Sequence, residues 1–163
     1  MNNIFVICEI EEGKIADVSL ELMTKGRSLA DELKCKLEAL VIGHKLDGIE
    51  KELYPFGADK VWVADDARLE VYTTLPYNAI AVKLFREEKP QIALLGATTF
   101  GRDLGPRVSS ELISGLTADC TSLEIGDHED KRAGKKYENL LYQIRPAFGG
   151  NIVATIINPD NRP

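Results

Sequence analysis

Residues 91–107, QIALLGATTFGRDLGPR, bring together glycines, an arginine and an aspartate directly after an apolar run. Gly96 and Gly101 have the spacing of the phosphate-binding loop G-x-x-x-x-G-K-[ST]. In that loop a lysine reaches the terminal phosphates and a hydroxyl binds magnesium. Here Arg102 stands at the lysine position and Asp103 at the hydroxyl position. Arginine can pair with phosphate, but aspartate brings negative charge and removes the metal-binding hydroxyl, so a triphosphatase is not expected. Three readings of the loop stay open: a tight turn into a helix, a nucleotide crevice at a strand end, or a subunit contact. A helix N-terminus favours anions. Arg102 and Arg107 would add to that, or would be solvated or paired with Asp103 and Glu111.

The other reactive side chains are sparse. Cys8, Cys35 and Cys120 are far apart and odd in number. This argues against a disulfide framework or a zinc site, and for a reducing, cytoplasmic setting. His44 and His128 lie in polar stretches with no plausible nucleophile nearby, so no catalytic residue and no metal site is assigned.

These groups sit in a chain of 163 residues, 44% apolar and 28% charged, with a formal net charge of −6. That suits one domain with a proper core. Without a basic stripe it also argues against nucleic-acid binding. The N-terminus MNNIFVICEI has no basic flank and reads as a strand. No segment has the length of a membrane span.

Four short apolar runs, Ile4–Cys8, Ala39–Ile42, Val61–Ala64 and Ile92–Leu95, alternate with helical stretches. Asp17 is expected to cap the first helix, whose inner stripe is Val18, Leu22, Leu29 and Leu33. Ile49 and Leu53 mark a short second helix. Pro76 opens a third, with Tyr77, Ile80, Ala81, Leu84 and Phe85 inward, and Lys89-Pro90 stops it. Leu104, Val108 and Leu112 line a fourth, ended by Gly115. Strands apolar on both sides between amphipathic helices predict an α/β fold: an open, mostly parallel sheet with helices on both faces.

The pattern changes after Gly115. Cys120–Ile125 reads as a strand, GDHEDKRAGKKYEN as a solvated hairpin loop, LLYQIR as a strand, PAFGG as a turn and NIVATIIN as another strand. In LLYQIR, Leu140, Tyr142 and Ile144 face one way; Leu141, Gln143 and Arg145 face the other. This is an antiparallel β region appended to the parallel core. We expect one domain over residues 1–157, with 158–163 of linker composition.

LLGATTFGRDLGPRVSSEL resembles the signature of the first domain of the electron-transfer flavoprotein alpha subunit. GKIADVSLELMTKGRSLAD, FGADKVWVADD, GLTADCTSLEI and YQIRPAFGGNIVATI resemble further segments of that family, in order, so the resemblance spans essentially the whole chain. It implies a fold of the adenine-nucleotide hydrolase-like group. It also implies a heterodimer with a smaller beta subunit that carries electrons through FAD, between flavin dehydrogenases (of the acyl-CoA type or others) and an acceptor. The family's main FAD sits in a second domain, so residues 158–163 would begin the linker to an FAD-binding domain absent from this sequence, and this stretch alone would bind no cofactor. In members whose beta subunit holds a second FAD, the arginine of the RPA-x-GG motif approaches that flavin; the matching residue is Arg145. The resemblance further implies that the crevice at Gly96–Arg107 stays unfilled and that this loop shapes the fold and its packing on the partner. The alternative reading is a free-standing adenine-nucleotide-binding domain.

Overall fold

The structure, a computed structural model, describes residues 2–131, 134–147 and 152–160. The parallel sheet is built from β1 (Ile4–Cys8), β4 (Leu37–Gly43), β5 (Lys60–Asp65) and β6 (Ile92–Leu94), in the spatial order β5-β4-β1-β6. All three strand pairings are parallel. Between β1 and the first helix lies a small antiparallel pair, β2 (Ile10–Glu11) and β3 (Lys14–Ile15), which the periodicity does not announce.

Alternate side chains of a strand leave on opposite faces, and β1 shows the consequence. Ile4, Val6 and Cys8 join one apolar cluster with Met23, Leu29 and Leu33 of α1 (Asp17–Leu33) and Leu53 of α2 (Glu50–Leu53). Phe5 and Ile7 join the other, with Tyr77, Ala81 and Phe85 of α3 (Thr74–Glu88) and Leu104 and Val108 of α4 (Thr99–Leu112). The Phe5 and Phe85 rings meet edge to face at 5.4 Å. Helices therefore cover both faces, as expected. Because β1 leads into α1 on one face and β6 into α4 on the other, the sheet's switch point lies between β1 and β6.

Four local expectations need correction. The cap position of α1 is Ala16, without a side-chain hydrogen bond, and Asp17 is the first helical residue. Ser19, Met23 and Gly26 share its buried face, while Val18 and Leu22 are only partly covered. α4 stops at Leu112, two residues before the expected reach, because Ile113 takes a left-handed conformation at φ 55°. The strand β5 is a sheet edge: Val63 is 43% exposed rather than buried on both sides.

The C-terminal region is a separate antiparallel sheet in the order β7-β8-β9: β7 (Ser122–Asp130), β8 (Lys135–Pro146) and β9 (Val153–Ile156). Most of the expected solvated loop is strand. Pairing runs out to Asp130 opposite Lys135, with a bulge between Gly126 and His128. The alternating charges suit such an exposed ribbon, since opposite signs across a pair attract. The expected PAFGG turn falls largely on residues 148–150, outside the described residues, as do 161–163 of the expected linker.

Candidate functional site

The glycine loop joins β6 to α4, and its geometry comes from close backbone approach. A β-carbon on Gly101 would fall far inside van der Waals contact with the Gly96 carbonyl oxygen. A β-carbon on Gly105 would sit 3.3 Å from Leu95 Cδ1. The two glycines thus let the first turns of α4 lie directly on the end of β6. Thr98 caps the helix, its hydroxyl oxygen accepting from Gly101 N–H at 3.2 Å.

Charged groups around this start are paired within the chain. Arg102 Nε donates to the Ala97 carbonyl at 3.0 Å, and its guanidinium meets Asp119 at 2.5 Å. Asp103 accepts from Tyr72 Oη at 2.6 Å and from Thr74 Oγ1 at 2.5 Å. These bonds, first Thr74 and then Tyr72, hold its carboxyl below the usual carboxylate range, with help from the charge of Arg107. Glu111 takes a hydrogen bond from Asn78 at 2.6 Å and lies 3.5 Å from Arg86. Of the pairings open in the sequence, Arg102 takes other partners, Ala97 and Asp119, while the charge of Arg107 acts on Asp103. Residues 72, 74, 86 and 119 are too distant in sequence for spacing to reveal them.

Above the carboxyl ends of β1 and β4, next to the switch point, an open crevice of about 650 Å³ is bordered by Cys8, Glu9, Glu12, His44, Glu70, Tyr72, Tyr77, Phe100 and Asp103, among others. Tyr72 stacks edge to face on Tyr77 and on Phe100, at 4.9 and 4.8 Å. Burial, followed by the hydrogen bond to Asp103, pushes the Tyr72 phenol up to about 12. This crevice fits a phosphate-bearing nucleotide poorly: four carboxylates line it, and neither Arg102 nor Arg107 does.

Nor does the crevice present an activated nucleophile. Cys8 borders it, but burial pushes its thiol up to about 12 and its Sγ is directed at the Val6 carbonyl. His44 Nδ1 lies 3.2 Å from Asp65 Oδ1. His128 sits in the exposed ribbon opposite Tyr137. Among the described residues no three His, Cys, Asp or Glu side chains converge as metal ligands, and no helix is long and apolar enough to cross a membrane.

Arg145 lies near the end of β8, in register with Ala154 of β9 and partly buried. By alternation it shares a face with Leu141 and Gln143. That face turns toward the parallel layer: Leu141 packs, with Leu123 and Ile125 of β7, against the cluster under α1, and Gln143 is 9% exposed. The arginine therefore does not simply reach into solvent. Its charge acts on Cys120, whose thiol burial raises and Arg145 lowers. Cys120 in turn borders an apolar groove of about 450 Å³ between β6, α4 and the second sheet.

Comparison with known proteins matches residues 4–163 to the family described as "Electron transfer flavoprotein domain". The chain is 48% identical to the electron transfer flavoprotein subunit alpha of Megasphaera elsdenii, over 98% of this chain and 45% of that protein. It is 44% identical to the subunit of the same name from Thermoanaerobacterium thermosaccharolyticum, over 99% and 46%. It is 40% identical to the lactate dehydrogenase (NAD(+),ferredoxin) subunit LctC of Acetobacterium woodii, over 93% and 34%. The chain thus spans less than half the length of each of these relatives.

Proposed function

The chain belongs to the electron transfer flavoprotein family, and we propose that it serves as the first domain of an alpha subunit in a heterodimeric electron carrier. The observation that carries this reading is the match over residues 4–163, together with relatives that bear the alpha-subunit name. In this reading residues 1–157 form one domain that packs against a smaller beta subunit, and residues 158–163 begin a connector to a second, FAD-holding domain. The heterodimer, in the cytoplasm, takes electrons from flavin dehydrogenases and passes them to an acceptor.

The domain's own chemistry is positioning. Bound FAD would supply the redox step, and the protein would orient it and tune it. Arg145 is the residue we assign to that tuning, through the flavin of the beta subunit. A guanidinium beside an isoalloxazine stabilises its reduced, anionic form. The partly buried placement on β8 supports the assignment, because a charge withdrawn from water acts more strongly on a neighbour. No feature favours the free-standing nucleotide-binding reading: the switch-point crevice is lined by Glu9, Glu12, Glu70 and Asp103.

The test is a heterodimer built from the full polypeptide containing this domain and the beta subunit. It should hold FAD, and its flavin absorbance should bleach on mixing with a reduced flavin dehydrogenase. Deleting residues 1–157 should abolish assembly. A full-length protein that neither pairs nor binds flavin would refute the reading.

A further inference from the structure

We propose that Glu9 is the residue that denies the switch-point crevice to phosphate-bearing ligands, by placing the chain's own carboxylate beside the anion position of α4. The inference does not depend on the electron-transfer reading. It starts from what a strand–glycine–helix junction offers. The first N–H groups of a helix lack intrahelical partners, and their dipole favours negative charge. In an open parallel sheet that position faces the crevice at the switch point.

Here the chain's own carboxylate stands beside that position and reaches it through the hydroxyl of Thr98. Glu9 follows β1 directly. Its Oε1 accepts a hydrogen bond from the hydroxyl of Thr98, the cap of α4. The same oxygen lies 3.1 Å from where a β-carbon of Gly96 would be, so it rests against the backbone of the glycine loop. The relay is continuous: Glu9 Oε1 takes the Thr98 proton, and Thr98 Oγ1 takes the Gly101 N–H.

The backbone of Glu9 is pinned as well. Its N–H donates to Ser19 Oγ at 2.8 Å, and its carbonyl accepts from Ala16 N–H at 3.0 Å. Ser19 is fully buried on α1. Glu9 is thus tied to both helices that flank the switch point, to α1 by its backbone and to α4 by its carboxylate. Ligands approaching from the crevice meet Glu12, Glu70 and Asp103 in addition. A phosphate would have to displace one negative charge and pass three others. Glycine spacing advertises a phosphate loop, and the residue after the first strand cancels it.

Isothermal calorimetry with inorganic phosphate and with AMP tests this, on the unmodified protein and on Glu9→Ser and Glu9→Gln. Glu9→Ser removes the carboxylate; Glu9→Gln keeps the acceptor oxygen and nearly the same volume while removing the charge, and guards against a variant that fails to fold. The unmodified protein should give no binding heat with either ligand at millimolar concentration. A folded Glu9 variant should bind phosphate at least tenfold more tightly than the unmodified protein. AMP or phosphate binding by the unmodified protein would overturn the proposal. So would a folded variant, with its thermal transition intact, that gains nothing.

Discussion

Asp103 shows how one side chain in the glycine loop changes role between sequence and structure. At the magnesium-hydroxyl position of a phosphate loop it is a misfit. In the fold it is an anchor that holds Tyr72, just before α3, and Thr74, its first residue, against α4. Replacing it by asparagine leaves a neutral partner and removes the charge that helps keep Tyr72 protonated. Ultraviolet difference titration of Asp103→Asn should show the Tyr72 phenol ionising below about 12, closer to an ordinary tyrosine. An unchanged titration would mean that burial alone sets its value. At Arg145 the expected effect is electrochemical. In a heterodimer whose beta subunit carries flavin, Arg145→Ala should lower that flavin's reduction potential, since a cation favours the reduced anion. A potential that does not move in spectroelectrochemistry would remove Arg145 from the site.

At the scale of elements, α4 is fixed by how near it lies to β6. Alanine is ordinarily the better helix former, by about 1 kcal/mol over glycine. At Gly101 the added methyl meets a backbone carbonyl, which has no rotamer to escape into. Gly101→Ala should therefore destabilise the fold by roughly 1–3 kcal/mol or more. Gly105→Ala meets only the ends of the Leu95 and Leu116 side chains and should be much milder. Urea denaturation of both variants checks the contrast, and equal effects would contradict the close-approach argument. The other end of α4 carries strain that can be relieved. Ile113 is β-branched, 76% exposed and left-handed at φ 55°. Ile113→Gly should stabilise by about 1 kcal/mol, and a lower denaturation midpoint would disprove the strain.

These elements also show what the sequence could reveal. The apolar runs Ile4–Cys8 and Ala39–Ile42 are buried on both faces, so their strands, and the alternation that makes the sheet parallel, are legible in the sequence, whereas Leu37 and the buried Glu38 of β4 are not. Helix ends were less so, because Ala16 and Ile113 act as caps without the residue types that signal caps. The charged ribbon carries the composition of a loop because exposed antiparallel strands bury little and need no apolar period. At the site, Gly96, Gly101 and Asp103 stood out, whereas Glu9, Tyr72 and Asp119 reach the loop only through tertiary folding.

For the molecule as a whole, acid is the sensitive direction. Asp59, Asp65, Asp66 and Asp103 are all held below the ordinary carboxylate range. For Asp59 burial pushes upward, but the Leu37 N–H and Arg27 outweigh it. A depressed carboxyl contributes stability that is present above its unfolded value, about 3.9, and is lost as pH falls through the folded one. The urea midpoint should thus hold above about pH 5 and decline steadily below pH 4. A midpoint flat to pH 2 would show that these pairs do not matter.

The central claim is that this chain is the partner-binding half of an alpha subunit. Sedimentation of an equimolar mixture of this 163-residue chain with an electron transfer flavoprotein beta subunit tests it most directly. The account predicts a single species at the summed mass of one copy of each. Two independent boundaries at the separate masses, with both proteins folded, would contradict it.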